Sequence, residues 1–398
     1  MGETGSRLEA LVCRACGAET AADVRVGTCP SCGHTLFARY RTEGLDARAW
    51  WGSLGNRPWT LWRYREMLPV RREEAVATLG EGCTAVLPLP ELPGTDGIRV
   101  SLKDDGTMPT GSFKARGMAV AVSRARELGA RALFAPTAGN AGIALAAYAA
   151  RAGLSARVYL PDVGTEPVQA AVRAYGARAV PVPGTIRDAG EAGRAAEAES
   201  GAFEMSTLRE PYRLEGKKTM GYEILEQLGA DVPDAIVYPT GGGTGLVGMH
   251  KAFEELRGLG LTEARPRFYA VQAEGCAPVV RAFRAGATRC DAWTDPTTIA
   301  PGLKVPAPFA SERILEAIRE SRGGAVAVPD GTIVDAMALL AAQYGISASP
   351  EGAAPLAALG ELVRTGHVRS GEHVLLYNTG VGSGFDADRL RASVRARA

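Results

Sequence analysis

The chain lacks an excess of charge of either sign. Its 45 lysines and arginines stand against 44 aspartates and glutamates, so the formal net charge is +1, and no long run of one sign occurs. Nucleic acids and anionic membrane surfaces are bound by clustered basic residues. The charge balance therefore argues against both kinds of partner and favours a small-molecule ligand.

Long hydrophobic segments are also missing. No apolar stretch approaches the length of about 20 residues that a membrane-spanning helix needs. The N-terminus lacks the basic-then-apolar order of a secretion signal. We therefore expect a cytoplasmic protein. At 398 residues and 46% hydrophobic side chains, the chain is long enough for two cores and a small appendage.

The seven cysteines are not spread as a disulfide framework would be, because four of them fall within the first 32 residues. These four form two C-x-x-C pairs, Cys13 with Cys16 and Cys29 with Cys32, a spacing that suits tetrahedral zinc. Flexible backbone for such turns is supplied by Gly17, Gly27 and Gly33. We predict a structural zinc ribbon over residues 1–40. A nucleic-acid-binding or redox finger is the less favoured alternative, since the nearby basic residues are few and interrupted by acids.

From about residue 97, short apolar runs alternate with longer helical segments, which is typical of an α/β protein with mostly parallel sheets. The predicted strands are Ile98–Leu102, Ala132–Ala135, Ala156–Leu160, Ala179–Val182, Ala235–Tyr238, Phe268–Gln272 and His373–Tyr377. Helices are predicted at 138–152, 165–175, 215–229, 245–258, 312–321, 331–343 and 353–365, and over an apolar face from Met118 to Leu128. The order of these segments predicts two sheets, one built from residues 132 to 205 and the other from 98–102 and 235–377.

We predict a division into three parts. The zinc ribbon occupies residues 1–40, a large domain combines residues 41–110 with 211–398, and a smaller α/β domain of residues 111–210 is inserted into it. No internal repeat or low-complexity tract is evident.

The most informative motif is Pro109-Thr110-Gly111-Ser112-Phe113-Lys114, which stands directly before a predicted helix. It places Lys114 where no other feature of the sequence needs a positive charge. Such a lysine is a candidate for an imine bond to pyridoxal phosphate. The alternative is a solvated lysine at a helix start, so the motif needs support from other segments.

A glycine run supplies the first support. Gly241, Gly242, Gly243 and Thr244 follow an apolar strand and open an amphipathic helix. Bare N–H groups at such a helix N-terminus bind phosphate well. The run lacks the terminal Gly-Lys-Ser/Thr of a nucleotide-binding P-loop and the spacing of a dinucleotide fingerprint. It therefore favours a cofactor phosphate, with a simple tight turn as the alternative.

Two further segments join a strand to a turn in the same way. Asn140 follows Thr137 at a predicted helix start, where it can cap the helix or donate to the ring oxygen of the cofactor while adjacent N–H groups hold a substrate carboxylate. Thr379 follows the last apolar strand, where it is a turn residue or a hydroxyl partner for the pyridine nitrogen. Taken together, the four segments predict a pyridoxal phosphate site.

With these residues the chain resembles the threonine synthase family, a group of fold type II pyridoxal phosphate enzymes related to the tryptophan synthase β-subunit, in the longer form that carries an N-terminal zinc ribbon. The matching segments are 103–105, 109–117, Thr137 to Asn140, 210–219, the glycine run 241–245, and Pro350-Glu351-Gly352. The resemblance implies two parallel-sheet domains and, as the reaction, conversion of O-phosphohomoserine and water to threonine and phosphate. It also implies a homodimer.

The resemblance assigns a role to each matching position. Lys114 would bind the cofactor covalently, Gly241 to Thr244 its phosphate, Asn140 its ring oxygen and Thr379 its ring nitrogen. The substrate carboxylate would lie against three residues: Thr137, Ala138 and Gly139. A substrate phosphate would be anchored by Arg213, with Lys217 or Lys218 in support, because a planar guanidinium binds phosphate through two bonds.

Other functions use the same cofactor residues. A β-replacement enzyme acting on O-phosphoserine, such as a cysteate synthase, and a serine or threonine dehydratase would both need the lysine, the glycine run and the asparagine. A third alternative is an enzyme of specialised metabolism that acts on another phosphorylated or activated amino acid. The cationic residues around Arg213 argue against a simple dehydratase. From another class, a scaffold protein that recruits a partner through its ribbon is disfavoured by the intact Lys114.

Overall fold

In the computed structural model, residues 5–137, 139–163 and 165–382 are described. They form two compact units, each assembled from separate stretches of the chain. The first unit comprises residues up to 83, residues 114–219 and residues 258–261. The second comprises residues 84–113, 220–257 and 262 onward. The division into three domains drawn from the sequence stays a prediction.

Thirteen strands occur in the described residues: β1 Leu8–Cys13, β2 Glu19–Ala21, β3 Leu36–Tyr40, β4 Val86–Pro88, β5 Arg99–Asp104, β6 Ala132–Pro136, β7 Ser155–Pro161, β8 Arg178–Val182, β9 Phe203–Glu204, β10 Ala235–Pro239, β11 Arg267–Ala273, β12 Gly324–Val328 and β13 His373–Asn378. All seven predicted strands are among them. Four of the six strands absent from the prediction, β1 to β4, lie before residue 97, where the predicted strands begin. The other two, β9 and β12, lie at a sheet edge and are short or rich in small residues, so they carry little apolar signal.

The described residues also contain eleven α-helices: α1 Ala47–Ser53, α2 Lys114–Glu127, α3 Asn140–Ala152, α4 Glu166–Ala174, α5 Ile186–Glu197, α6 Tyr212–Leu228, α7 Thr244–Gly258, α8 Pro278–Arg284, α9 Ser311–Glu320, α10 Asp330–Tyr344 and α11 Pro350–Arg364. Short 3₁₀ turns lie at Leu54–Asn56, Leu61–Met67, Glu73–Ala75, Asp105–Thr107, Pro109–Gly111 and Gly229–Asp231. The predicted helices agree with these bounds to within a few residues. Helices α1, α5 and α8 had no counterpart in the prediction.

The first unit holds two sheets. The ribbon sheet is antiparallel with strand order β2-β1-β3, and the second sheet has the order β8-β7-β6-β9 with all pairs parallel. Parallel strands need helical crossovers, which α3, α4 and α5 supply here. The carboxyl ends of β6 and β9 therefore lie at the same edge of this sheet.

The second unit is built on a six-stranded sheet with order β12-β11-β10-β13-β5-β4. All pairs are parallel except that of β4 with β5 at the edge. Strands β10 and β13 are buried along their whole length, as expected for central strands covered on both faces. This sheet confirms the prediction that 98–102 pairs with strands far along the chain. None of the described helices is long and apolar enough to cross a membrane. The homodimer and the cytoplasmic location stay predictions.

A buried ion pair fixes the carboxyl end of β5 within the second unit. Lys103 Nζ lies 2.9 Å from Glu223 Oε2 on α6, and the two side chains are 0% and 1% exposed. The same ammonium donates to the Thr84 carbonyl oxygen at 2.6 Å and to Gln227 Oε1 at 2.9 Å. Three acceptors match the three donors of a lysine, so the charge is fully hydrogen-bonded although it is out of water.

We predict that Glu223→Gln lowers the free energy of unfolding by about 3 kcal/mol, because it leaves the buried ammonium of Lys103 without a compensating charge. The matched control is Glu361→Gln, which breaks a pair with Arg364 whose side chains are 42% and 72% exposed. That change is expected to cost less than about 1 kcal/mol. Urea denaturation of both variants measures the difference, and equal losses would contradict the prediction.

Candidate active site

Three of the predicted cofactor segments meet at one edge of the sheet of the second unit. Strands β10, β13 and β5 are neighbours and run parallel. Their carboxyl ends continue into the glycine run, into Thr379 and into the segment 105–113 that precedes Lys114. In open α/β sheets, ligands bind at this edge.

The glycine run forms the turn between β10 and α7, and its glycines are required by close packing. A Cβ on Gly241 would overlap the carbonyl oxygen of Gly302, and a Cβ on Gly245 would overlap the hydroxyl of Tyr238. Gly243 has φ +75°, in the left-handed region that disfavours other residues. The first N–H groups of α7 have no acceptor within the helix, so the turn presents them as anion donors.

Thr379 lies directly after β13, where its backbone holds the segment before Lys114. The Phe113 N–H donates to the Thr379 carbonyl oxygen at 3.0 Å, and Ser112 forms an antiparallel bridge with Gly380. Thr379 itself is buried. Because Lys114 follows Phe113 in the chain, this hydrogen bond sets where helix α2 starts.

An aromatic cluster of Phe113, Tyr238 and Tyr377 supports the same three segments. The rings of Phe113 and Tyr238 are 6.1 Å apart and edge-on, and those of Tyr238 and Tyr377 are 5.3 Å apart. Each ring belongs to a residue within a few positions of Lys114, of the glycine run or of Thr379. Aromatic contacts of this geometry add stability beyond their buried area.

The segment before Lys114 carries two buried hydroxyls and a strained backbone. Thr110 has φ +62°, which is uncommon for a residue other than glycine. Among the described residues, no hydrogen-bond partner lies near Thr110 Oγ1 or Ser112 Oγ, although both atoms are buried. Buried hydroxyls without partners are costly, so both are suited to a bound polar ligand.

In the first unit, the predicted carboxylate-binding residues follow β6. Thr137 is buried, and its Oγ1 accepts a hydrogen bond from the Gly139 N–H at 3.2 Å. Gly139 is the N-cap of α3, without a side-chain cap bond, and Asn140 is the first helical residue, with an exposed side chain. Asn140 is thus not the cap that the alternative interpretation required. Ala138 lies outside the described residues.

Arg213 lies at the start of α6, near the end of β9 at the same sheet edge. It is only 2% exposed. Its Nη1 donates to the Met205 carbonyl oxygen at 2.7 Å, whereas Nε and Nη2 are buried without a hydrogen-bond partner among the described residues. A guanidinium with two unsatisfied donors out of water is prepared to bind an oxyanion.

Two ionisable residues near Arg213, Lys217 and Glu210, have shifted pKa values. Burial lowers the pKa of Lys217 well below its usual value, and the positive charges of Arg213 and Lys114 lower it further. Burial raises the pKa of Glu210 to about 7, opposed by Arg213 and by backbone N–H donors. The Glu210 carboxylate accepts from the N–H groups of Tyr212 and Arg213, so it caps α6. The first turn of α6 is therefore a buried cationic cluster.

Helices α2 and α6 approach each other closely at their first turns. A Cβ on Gly216 would overlap the Arg116 carbonyl oxygen, and a Cβ on Gly117 would lie 2.9 Å from the Arg213 carbonyl oxygen. The close approach brings the start of α2, where Lys114 lies, next to the cationic cluster on α6.

Lys218 has a different environment from Lys217. Its Nζ lies 2.8 Å from Glu215 Oε2 and 3.8 Å from the centre of the Tyr40 ring. Tyr40 itself donates to Glu215 Oε2 at 2.9 Å. The ammonium of Lys218 is thus held by a carboxylate and a ring. The substrate-binding role of Lys218 stays a prediction, as does the supporting role of Lys217.

The four N-terminal cysteines converge on one point. Cys13 Sγ lies 3.4 Å from Cys32 Sγ, and Cys16 Sγ lies 3.7 Å from Cys29 Sγ, with all four sulfurs within 4.8 Å of one another. Sulfurs bound to zinc at about 2.3 Å in a tetrahedron are separated by about 3.8 Å, so the set fits zinc. Two matching turns build it, since Gly17 donates to the Cys13 carbonyl and Gly33 to the Cys29 carbonyl.

Sequence reasoning missed the residues that support the glycine run. Glu351 Oε1 accepts the Gly302 N–H at 2.6 Å, which holds the Gly302 carbonyl against Gly241. Gln272 is fully buried and donates to the Thr240 carbonyl oxygen at 3.0 Å. The family motif Pro350-Glu351-Gly352 marked Glu351 as a residue of interest, although it did not indicate what Glu351 does. Gln272 is a single glutamine in a strand, and nothing in the sequence marked it.

The site and the fold together define a pyridoxal phosphate enzyme. A family model described as pyridoxal-phosphate dependent enzyme matches residues 77–380, so the chain belongs to this family. It is 36% identical over 373 residues to a threonine synthase of Methanosarcina acetivorans, covering 93% of this chain and 91% of that protein. It is 35% identical over 384 residues to a threonine synthase of Methanocaldococcus jannaschii, covering 96% of this chain and 94% of that protein. These relatives confirm the resemblance drawn from the motifs.

Solved structures confirm the fold type II architecture. A threonine deaminase from T.th. superposes with a TM-score of 0.62 at 28% identity, over 77% of this chain and 94% of that chain. Maize serine racemase superposes with a TM-score of 0.68 at 21% identity, over 79% of this chain and 92% of that chain. The residues of this chain fit the cofactor of the family, because the glycine run leads into the N-terminus of α7, where the first N–H groups suit a phosphate, and the buried hydroxyls of Thr110 and Ser112 lie just before Lys114 in the chain.

We predict that Gly241→Ala weakens pyridoxal phosphate binding at least about tenfold, because its Cβ would displace the Gly302 carbonyl that Glu351 holds. Titration of the apoprotein with cofactor, followed by visible absorbance, measures the dissociation constant. The control is Gly360→Ala in α11, where no neighbouring atom lies within 4 Å of the added Cβ. An unchanged constant for Gly241→Ala would remove the glycine run from the cofactor site.

Proposed function

We propose that this protein is a threonine synthase that converts O-phosphohomoserine and water to threonine and phosphate. The sequence relatives support the reaction. The observation that carries the proposal is Arg213, a buried guanidinium with two unsatisfied donors beside Lys217. A dehydratase acting on free serine or threonine has no phosphate to place there.

Pyridoxal phosphate, when bound, acts as an electron sink that stabilises negative charge at the α-carbon of an amino acid. By the family resemblance, Lys114 would hold the cofactor, Gly241 to Thr244 at the α7 N-terminus would bind its phosphate, and Asn140 and Thr379 would bond its ring oxygen and its ring nitrogen. The substrate carboxylate lies against Thr137 and Gly139. The same role for Ala138, which lies outside the described residues, stays a prediction.

Lys114 Nζ moves the protons of the reaction. It takes a proton from the α-carbon and a proton from the β-carbon, and phosphate leaves the γ-carbon. Water then adds its oxygen at the β-carbon, and protons return to the γ-carbon and the α-carbon to give threonine. A neutral amine is needed for this role, because only an unprotonated nitrogen can accept the proton from carbon.

Arg213 binds the substrate phosphate in the ground state and as it departs. The guanidinium supplies two parallel N–H donors, and burial strengthens both bonds because water does not compete. Lys217 lies four residues further along α6, and a bound phosphate would favour its charged form against the burial that lowers its pKa. Because Arg213 contacts the phosphate both in the bound substrate and as the C–O bond breaks, weakening this contact raises KM more than it lowers kcat.

The substrate is tested by measuring phosphate release and identifying the amino-acid product. We expect release with O-phosphohomoserine, with threonine as the product, at a kcat/KM at least about 100 times that with O-phosphoserine. Free threonine is expected not to be consumed. Turnover of O-phosphoserine without turnover of O-phosphohomoserine would instead identify a β-replacement or elimination enzyme.

Replacing Arg213 tests the phosphate anchor separately. We expect Arg213→Ala to lower kcat/KM for O-phosphohomoserine by a factor of about 100 to 1,000, the loss of two charge-assisted hydrogen bonds. Visible absorbance of the bound cofactor is expected to stay unchanged. Arg213→Lys restores only part of the activity, because a point charge cannot make both bonds. Arg364→Ala on the exposed face of α11 is the control, and unchanged kinetics in Arg213→Ala would remove Arg213 from the site.

A further inference from the structure

The zinc ribbon contacts the chain segment that carries Arg213. We define residues 205–213, between β9 and the start of α6, as the anchor segment. Thr35, three residues after Cys32, is buried, and its Oγ1 donates to the Leu208 carbonyl oxygen at 2.8 Å. This is a contact across 173 residues of sequence within the first unit.

A second contact lies on the neighbouring peptide. Gly27 stands so close to the anchor segment that a Cβ on it would lie 2.7 Å from the Arg209 carbonyl oxygen. The sequence interpretation gave Gly27 only a flexible turn, but its lack of a side chain also admits the Arg209 backbone. The ribbon therefore hydrogen-bonds the Leu208 carbonyl and packs closely against the next carbonyl, that of Arg209.

A third contact reaches the first turns of α6. Tyr40, the last residue of β3, donates to Glu215 Oε2 at 2.9 Å, and its ring lies 3.8 Å from Lys218 Nζ. The carboxylate and the ammonium are both buried. The ribbon thus contacts the chain on both sides of Arg213, ahead of it through Thr35 and Gly27 and behind it through Tyr40.

The anchor segment needs such support because its backbone is strained. Leu208 has φ +59°, a conformation that is costly for a leucine and persists only where neighbouring contacts hold it. Its conformation determines the path from Met205, whose carbonyl orients the guanidinium of Arg213, to α6. A free segment would relax, and Arg213 would lose its preorganised position.

The metal site stabilises the part of the ribbon that makes these contacts. Residues 28 and 35 form an antiparallel bridge around the turn of Cys29 and Cys32, and the Cys29 N–H donates to the His34 carbonyl. So short a segment depends on its metal for a fixed conformation. Gly27 and Thr35 lie on either side of this turn, which carries two of the four candidate metal ligands.

We propose that the ribbon is a positioning element for substrate binding, in which Thr35 and Gly27 hold the anchor segment and the metal at Cys13, Cys16, Cys29 and Cys32 holds Thr35 and Gly27. Metal occupancy is thereby coupled to the affinity for the phosphate of the substrate. Thr35 is a positioning residue that acts through Arg213. The inference rests on the proposed role of Arg213 as the phosphate anchor.

The test compares Thr35→Val with Thr20→Val. Both changes replace a hydroxyl by a methyl, but Thr20 lies on β2, at the far edge of the ribbon sheet from β3. For Thr35→Val in the holoenzyme, we expect KM for O-phosphohomoserine and the dissociation constant of inorganic phosphate to rise about tenfold, with kcat within about twofold. Zinc content and cofactor absorbance are expected to match the unchanged protein, and the amides of the anchor segment to exchange hydrogen faster. Thr20→Val is expected to change none of these quantities.

A second variant tests the contribution of the metal site. Cys16→Ser is expected to lower zinc content and to shift KM, phosphate affinity and amide exchange in the same direction as Thr35→Val, by a larger factor. If O-phosphohomoserine is turned over but Thr35→Val and Cys16→Ser leave phosphate affinity and exchange unchanged, the positioning role is wrong and the proposed function stands. If O-phosphohomoserine is not turned over while Thr35→Val still weakens phosphate binding and loosens the anchor segment, the function is wrong and the coupling stands.

Discussion

The hydrogen bond from the Phe113 amide to the Thr379 carbonyl is the contact on which the site depends. It joins two segments 266 residues apart in sequence, and the bridge between Ser112 and Gly380 continues it. The residue after Phe113 is Lys114, so the reactive amine starts from a fixed backbone position. A lysine has four rotatable bonds, and positional precision of its Nζ has to come from the backbone that carries it.

Charge burial is the second constraint. The start of α6 holds a guanidinium and an ammonium out of water, and burial lowers the pKa of both groups. A buried charge costs free energy unless hydrogen bonds or an opposite charge compensate it. The buried pair of Lys103 and Glu223 is compensated, because every donor of the ammonium is satisfied. Arg213 differs, since its Nε and Nη2 are buried without a hydrogen-bond partner among the described residues.

Much of the fold and the glycine run of the candidate site could be predicted from the sequence. Strands such as Ala235–Pro239 and His373–Asn378 are continuous apolar runs, and the glycine run between β10 and α7 is a local motif with a local cause. Helix α5 was missed because its sequence is rich in alanine and glycine and shows few large apolar residues.

The hydrogen bonds that Gln272 and Glu351 make near the glycine run, and the contact of Thr35 with Leu208, could not be predicted. They join residues far apart in sequence, and a single side chain carries no sign of its distant partner. For the same reason the pairing of Lys218 with Glu215 could not be predicted from the sequence.

The most direct test of the account is to locate the cofactor on the chain. The holoenzyme is reduced with borohydride, which makes the bond between lysine and cofactor permanent, then digested, and the modified peptide is identified by mass spectrometry. The account predicts a pyridoxyl group on Lys114 and on no other lysine. A group on Lys217 or Lys103, or a protein that takes up no pyridoxal phosphate at all, would contradict it.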